Sequence, residues 1–192
     1  YALGNLVPNF TLRDQNGVQR NLRDYAGKNV LLDFCTAWCL PCQQMGYDAA
    51  RIRQAYAGQP FEYLTVIMEG PEIGNISLAA DAQEWLAEHP NFGTVLHRNG
   101  VSDSNFEAPE AQFYASLFQQ DAFPTLVLIG PDQKMLHKAK GALSATQLNT
   151  LIAQKTGLAL PVLPANFASS GLRSARLPLS VGGTPPLEQT AP

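Results

Sequence analysis

Apolar positions along the chain fall into patterns that predict strands and helices in turn. Two almost continuous apolar runs, Asn29–Phe34 and Phe61–Met68, are typical of buried strands. Between them, the segment from Cys39 to about Tyr56 has Pro41 in its first turn and Gly58 just beyond its end, which predicts a helix. A strand, a helix and a second strand in this order form a βαβ unit with parallel strands. The pattern therefore predicts an α/β fold.

The remaining elements are shorter and are predicted from local signals. Asn16-Gly17 suits the turn of a hairpin between strands over Asn9–Leu12 and Val18–Leu22. Further elements are expected in this order: a helix over Leu78–Glu88, a strand over Thr94–Leu96, a helix over Ala111–Gln119, a strand over Thr125–Ile129, a turn over Gly130–Gln133, an antiparallel strand over Lys134–Lys138, and a helix from Ser144, capped with Gln147, to Gly157.

The composition changes after Gly157, where prolines become frequent and no periodic pattern remains. We predict one domain over residues 1–157 and an extended proline-rich tail over residues 158–192. Composition favours a mobile terminus. Scattered apolar residues, including Phe167, leave a second interpretation open, in which the tail wraps along the domain or contacts a partner.

Charge and hydropathy narrow the function classes. The chain has 192 residues, 45% of them hydrophobic, a formal net charge of −3 and no block of like charge. It therefore lacks the basic patch of a nucleic-acid-binding protein or of a protein that binds anionic membranes. No apolar run approaches the length of a membrane-spanning helix. Because the sequence opens at Tyr1 rather than Met, we expect that any targeting segment has been removed.

All three cysteines lie within residues 35–42, which indicates chemistry at one place rather than a disulfide scaffold. Cys39 and Cys42 are two residues apart at the start of the predicted helix. The helix N-terminus stabilises a thiolate at Cys39, and the spacing allows a short-loop disulfide to Cys42. A thiolate that attacks a substrate disulfide forms a mixed disulfide, which the second thiol resolves. The motif thus predicts disulfide exchange.

Other interpretations of the pair are less favoured. If the pair were half of a zinc site, a second cysteine pair or suitably spaced histidines would be needed. The chain has no second pair, and His89, His97 and His137 lack the spacing of zinc ligands. We expect these histidines at the surface or in loops. Two incidental buried cysteines need not fall between a strand and a helix. Trp85 and the aromatic positions of residues 113–118 are interpreted as helix core.

The segment Asp33–Cys42 resembles the active site of thioredoxin-like proteins, and Phe123-Pro124-Thr125 resembles their cis-proline loop. Gly4–Leu12 and the long insert before Pro124 look like the TlpA/ResA-like, AhpC/TSA-related branch. The resemblance covers about residues 5–156. It implies a thioredoxin-like fold: a central mixed β-sheet flanked by helices, with an N-terminal β-hairpin and an insert before the cis-proline.

The resemblance also implies roles. Cys39 would be the attacking thiol, Cys42 the resolving thiol, Asp33 a buried acid that takes and returns the proton of Cys42, and Pro124 a cis-proline beside the disulfide. Without the resemblance, Asp33 is a strand-end aspartate and Pro124 a strand-entry residue. Substrate-binding positions would be Trp38, Leu40, Pro41, Phe123 and Thr125. Neither a cofactor nor a metal is expected.

Two positions depart from the family pattern. Cys35 stands where an aromatic residue is common, and we interpret it as a small core residue, with a second redox partner for Cys39 as the alternative. Met45 stands where ResA-like members have a functional glutamate. The specificity of the cytochrome-maturation reductases is therefore not expected.

The leading hypothesis is a protein disulfide oxidoreductase that acts on protein thiol and disulfide substrates. The residues leave reductase and oxidase open, and we prefer the reductive direction. Such a protein would depend on an upstream redox partner protein and work outside the cytoplasm, in a bacterial periplasm. A copper metallochaperone of SCO type would use the Cys35/Cys39 spacing. A thiol peroxidase is disfavoured because the Pro-x-x-x-Thr-x-x-Cys signature of peroxiredoxins is absent.

Overall fold

A computed structural model describes residues 2–89, 93–98 and 122–165. The strands are β1 Thr11–Asp14, β2 Gln19–Asn21, β3 Asn29–Cys35, β4 Phe61–Ile67, β5 Thr94–His97, β6 Thr125–Ile129 and β7 Met135–Lys140. The helices are α1 Leu40–Ala55, α2 Ala79–Glu88 and α3 Ala145–Thr156, and Leu22–Tyr25 forms a 3-10 turn. The predicted helix over residues 111–119 and most of the predicted tail lie outside the described residues.

The described strands form one mixed sheet in the order β2-β1-β5-β4-β3-β6-β7. β3 is parallel to β4, and β4 is parallel to β5, whereas β1–β2, β1–β5, β3–β6 and β6–β7 are antiparallel. The predicted βαβ unit is confirmed, because α1 connects the parallel strands β3 and β4. The predicted mixed sheet with an N-terminal hairpin is confirmed as well.

Different parts of the chain pack on the two faces of the sheet. On one face, apolar side chains of α1, α2 and α3 pack against alternate residues of β3, including Leu31 and Cys35. On the other face, Val30 and Phe34 pack with the N-terminal segment. Successive side chains of a strand point to opposite faces. The helix-covered face therefore also receives Asp33, in the middle of a strand whose seven residues are all buried.

The first hairpin begins two residues later than predicted, at Thr11 instead of Asn9. Its turn is held by the buried Asp14, whose Oδ1 accepts hydrogen bonds from the backbone N–H groups of Asn16 and Val18. Oδ2 accepts one from Arg20. A carboxylate bonded in this way extends β1 as far as the turn, an effect that the alternation of apolar residues does not reveal.

The prediction of surface or loop positions is wrong for His97, which ends β5 and is only 1% exposed. His89 lies in the loop after α2 as predicted, but it too is only 1% exposed. The ring of His89 lies between α1 and α2. Its Nδ1 is 2.9 Å from the carbonyl oxygen of Trp85, and its Nε2 is 3.0 Å from that of Gln43. A neutral imidazole carries one N–H group, so it can donate to one of these two carbonyl oxygens, and this bond helps to offset the burial of a polar ring. The prediction for Trp85 as helix core is confirmed.

Residues 158–165, the first part of the predicted tail, lie along α1 and α3. Asn149 Nδ2 donates to the carbonyl oxygen of Pro161 at 2.9 Å, and Arg51 Nε to that of Pro164 at 3.0 Å. Leu158 and Leu163 pack against the helix-side core. This part of the chain thus wraps along the domain. None of the described helices is both long enough and apolar enough to cross a lipid bilayer.

Candidate active site

Cys39 and Cys42 form a disulfide at the junction of β3 and α1, with their Cα atoms 5.2 Å apart. Cys39 is the N-cap residue of α1, and its Sγ accepts a hydrogen bond of 3.2 Å from the backbone N–H of Cys42. The same N–H group would stabilise a thiolate at Cys39, together with the partial positive charge of the helix N-terminus. Cys39 is 4% exposed and Cys42 is fully buried. Of the two cysteines, Cys39 is therefore the one that reaches the surface.

Apolar side chains surround the disulfide on the surface. Leu40 is 75% exposed and Trp38 is 39% exposed. The ring of Trp38 meets the ring of Phe123 edge to face, with centroids 6.1 Å apart. Its indole N–H donates to the carboxylate of Glu69 at 2.8 Å. Pro41, also exposed, completes this apolar rim.

The segment before β6 contributes the opposite side of the site. The peptide bond between Phe123 and Pro124 is cis. Pro124 and Thr125 are buried, and the hydroxyl of Thr125 donates to the carbonyl oxygen of Ala122 at 2.9 Å. Thr125 is paired with Phe34 of β3, and Phe123 packs against the core cluster that contains both disulfide cysteines. These contacts bring the two predicted motifs into one site, although Cys42 at the end of the first is 81 positions before Phe123 at the start of the second.

Asp33 is fully buried on the helix-covered face, in the core that contains the disulfide. Burial raises its pKa to about 7, and the hydroxyl of Tyr63, which donates to Oδ2 at 2.9 Å, partly offsets that rise. Within the described residues, Oδ1 has no hydrogen-bond partner. A carboxyl group with this pKa can hold or release a proton near neutral pH.

Cys35 is fully buried and lies outside the disulfide. Its thiol contacts the carbonyl oxygen of Val66 at 3.8 Å. Burial, followed by the nearby Asp33, raises the pKa of this thiol well above its usual value. Both copper binding and nucleophilic attack require the thiolate. This environment favours the interpretation of Cys35 as a core residue. Among residues 2–89, 93–98 and 122–165, no group of three His, Cys, Asp or Glu side chains is arranged to hold a metal ion.

Two residues of this site were not singled out in the sequence. The sequence places Tyr63 in a predicted strand, and it predicts no element for Glu69. Since β3 and β4 are parallel, with Leu31 paired to Tyr63 and Asp33 to Thr65, the strand alternation places Tyr63 on the same face as Asp33. The register of β3 and β4 is thus the feature that links Tyr63 to the site. No comparable signal points to Glu69.

Comparison with known proteins identifies the family. The model of the AhpC/TSA family matches residues 3–138, which is most of the chain. The chain belongs to the AhpC/TSA family. It is similar to the thiol-disulfide oxidoreductase ResA of Bacillus thuringiensis subsp. konkukian, with 40% identity over 158 residues that cover 80% of this chain and 79% of ResA. The predicted AhpC/TSA-related family is thereby confirmed.

Other matches differ in extent. The ResA protein of Geobacillus thermodenitrificans is 35% identical over 72 residues, which are 38% of this chain and 41% of that protein. The chain thus spans less than half of that relative. Among solved structures, a Chlorobium tepidum protein described as the thiol:disulfide interchange protein DsbE is 27% identical with a TM-score of 0.60, and the match covers 80% of this chain and 97% of DsbE. The thioredoxin-like fold and the pairing of Cys39 with Cys42 are confirmed.

Proposed function

We propose that this protein exchanges disulfides with protein substrates through Cys39 and Cys42. The observation that carries the proposal is the disulfide at the N-terminus of α1, where Cys39 keeps a slight exposure of 4% and Cys42 has none. The similarity to ResA and DsbE, which are named for thiol-disulfide chemistry, supports it.

The cycle that we propose runs in the reductive direction, with Cys39, the more exposed cysteine, exchanging with other proteins. A thiolate of an upstream redox partner attacks Cys39 and Cys42 leaves; a second thiol of that partner then releases the reduced pair. The Cys39 thiolate next attacks a substrate disulfide, forms a mixed disulfide and expels one substrate thiolate. Cys42 finally attacks Cys39, which restores the Cys39–Cys42 bond and releases the second substrate thiolate. Two electrons pass from the partner to the substrate.

Asp33 would handle the proton of Cys42. When Cys42 attacks, its thiol proton passes to the Asp33 carboxylate, and when Cys42 leaves as a thiolate, protonated Asp33 returns the proton. The pKa of about 7 supports this role, because both forms of the carboxyl group are populated near neutral pH.

The surface around Cys39 suits a protein substrate better than a small disulfide. Trp38, Leu40 and Pro41 offer apolar contact area, which an extended peptide can cover. In this proposal Phe123 pairs through its backbone with that peptide, and Pro124 and Thr125 hold the loop in place. Small disulfides such as oxidised glutathione would leave most of this surface exposed.

We place the protein outside the cytoplasm, in a bacterial periplasm, and expect the reductive direction. Resemblance to the TlpA/ResA-like branch supports the location, and resemblance to thioredoxins supports the direction. Expression of the full gene with a C-terminal alkaline phosphatase reporter tests the location, since that reporter is active only when exported.

Two experiments test the activity. Equilibration with thiol-disulfide buffers, followed by mass spectrometry, gives the potential of the pair. We expect a value near that of thioredoxin, about −270 mV, whereas about −120 mV would indicate an oxidase. Incubation of Cys42→Ser with a disulfide-bonded protein should trap a mixed disulfide at Cys39. Cys35→Ala should keep the potential and the trapping. The absence of a reversible couple, or trapping that depends on Cys35, would contradict the proposal.

A further inference from the structure

The hydrogen bond between Tyr63 and Asp33 distinguishes the two oxygens of a fully buried carboxyl group. The Tyr63 hydroxyl donates to Oδ2 at 2.9 Å, and both side chains are 0% exposed. Within the described residues, Oδ1 has no hydrogen-bond partner. A buried carboxyl oxygen without a partner is costly and calls for a functional explanation.

The surroundings of Asp33 indicate what that oxygen serves. Asp33 shares the helix-covered face of β3 with Cys35, and this face packs in one cluster with the disulfide cysteines. From β4 the titratable neighbour is Tyr63 and from β3 it is Cys35, with Asp48 of α1 acting on Tyr63 at longer range. Cys42 of α1 belongs to the apolar cluster that packs on this face of β3. On β6, the residue paired with Asp33 is the apolar Leu126. No cation is among these neighbours.

We propose that Tyr63 is a positioning residue for the disulfide chemistry: its hydroxyl holds Oδ2 of Asp33 and leaves Oδ1 as the oxygen that exchanges a proton with Cys42. This inference rests on the proposed function. The inference adds Tyr63 and the Oδ1 atom of Asp33 to the proposed function, because a carboxyl group held at Oδ2 cannot turn that oxygen toward the sulfur of Cys42.

The proton and electron balance is that of the resolving step. The thiol proton of Cys42 moves to Oδ1 as the sulfur of Cys42 bonds to that of Cys39. The bond between Cys39 and the substrate sulfur breaks, and its electron pair leaves with the substrate thiolate. Throughout, the Tyr63 hydroxyl keeps its proton and its bond to Oδ2. Burial, together with the charge of Asp33, raises the pKa of Tyr63 far above neutrality, which supports this passive role.

The direct test is a titration of Asp33 in the oxidised protein, with ¹³C-labelled aspartate observed by NMR. The hydrogen bond from Tyr63 favours the charged carboxylate, so Tyr63→Phe should move the midpoint upward by about one pH unit. Tyr56→Phe is the matched control, because Tyr56 is also buried and donates to the carbonyl oxygen of Asn149 rather than to Asp33. Its midpoint should equal that of the unmodified protein.

Kinetics test the link to the cysteines. The rate at which dithiothreitol reduces the protein is measured at a series of pH values. Each rate is divided by that of Asp33→Asn at the same pH, so that the pH dependence caused by ionisation of dithiothreitol cancels. We expect this ratio to fall at a higher pH in Tyr63→Phe than in the unmodified protein. In the Asp33→Asn background, Tyr63→Phe should change the rate less than twofold. An unchanged NMR midpoint, or an equal rate change in both backgrounds, overturns the proposal.

A third variant distinguishes a change in the hydrogen bond from a folding defect. Site-specific 3-fluorotyrosine at position 63 keeps the shape of the side chain and makes the hydroxyl a stronger donor, so the midpoint should move downward. An unmoved midpoint there also overturns the proposal. Neither NMR result depends on protein substrates. If substrate trapping fails while the midpoints move as expected, the proposed function is wrong and the role of Tyr63 toward Asp33 stands.

Discussion

The indole N–H of Trp38 donates to the carboxylate of Glu69, 31 positions along the chain, at 2.8 Å. The same carboxylate oxygen accepts a 3.0 Å hydrogen bond from the backbone N–H of Gly74, and the backbone carbonyl of Glu69 accepts one of 2.9 Å from Ala37. The loop after β4 is therefore joined to the residue beside the attacking cysteine. This contact holds one wall of the apolar surface around the disulfide.

Glu69→Ala should weaken the binding of protein substrates. With the acceptor removed, Trp38 is free to leave its position between Glu69 and Phe123. We expect the KM for a disulfide-bonded protein to rise about threefold to tenfold, which corresponds to about 0.7–1.4 kcal/mol, the net contribution of one ordinary hydrogen bond. Reduction by dithiothreitol should keep its rate, since a small dithiol does not need the apolar surface.

Glu72→Ala is the control for that experiment. Glu72 lies in the same loop but accepts its hydrogen bond from Asn75, and not from Trp38. It should leave the KM unchanged. Equal effects of the two variants, or a slower reaction of Glu69→Ala with dithiothreitol, would mean that the loop as a whole is disturbed and that Trp38 is not specifically held.

Asp33 should make the oxidised protein less stable as the pH rises. Burial raises its pKa to about 7 in the folded protein, from an ordinary value of 3.8. Between these two values the folded state binds a proton that the unfolded state has lost, so the free energy of unfolding falls as the pH increases through this range. The complete loss is on the order of 4 kcal/mol.

Asp33→Asn removes this dependence. Urea unfolding of the oxidised protein should give similar free energies for the variant at pH 5 and pH 8, and a variant more stable than the unmodified protein at pH 8 by roughly 2–4 kcal/mol. Asp132→Asn, at an exposed turn, serves as the control. The expectation is wrong if the two proteins differ in free energy of unfolding by the same amount at pH 5 and at pH 8.

Gly46→Ala should destabilise the protein although alanine is the better helix former. A Cβ at this position would lie 2.6 Å from Cδ2 and 2.7 Å from Nε2 of His89. That ring cannot move freely, because both of its nitrogens contact backbone carbonyl oxygens. The overlap should cost about 1–3 kcal/mol and exceed the gain of about 1 kcal/mol in helix propensity.

The His89→Ala background provides the test of that mechanism. Removal of the ring leaves space for the added methyl group, so Gly46→Ala should there be neutral or stabilising in thermal unfolding. The interaction between the two positions is then obtained from the double-mutant cycle. A similar cost of Gly46→Ala with and without the ring would exclude the overlap as its cause.

The features that the sequence predicted are those with a local signal. The apolar run of β3, the Cys-x-x-Cys pair at a helix start, and the capping box of Ser144 with Gln147 each lie within a few neighbouring residues. Asp33 and Pro124 needed the family resemblance, because either residue alone has an ordinary structural explanation.

The features that were missed depend on tertiary pairing. Tyr63 reaches Asp33 across the register of two strands, and His89 is buried because Gly46 leaves space for its ring on another helix. In the sequence these partners are 30 and 43 positions apart. Nothing in the composition or the local pattern joins them, so histidine was placed by its average preference for partly exposed positions.

Residues 158–165 should contribute to stability. Asn149 is only 6% exposed, and its side-chain N–H group donates to the carbonyl oxygen of Pro161. Without this segment, a buried donor loses its partner and the apolar contacts of Leu158 and Leu163 are lost. A chain that ends after Gly157 should therefore be less stable than one that ends after Ala165 by about 2–4 kcal/mol in urea unfolding. Asn149→Ala should cost more in the longer chain than in the shorter one, since only the longer chain contains the acceptor. If the two chains unfold at the same urea concentration, or Asn149→Ala costs the same in both, this segment lies on the domain without stabilising it.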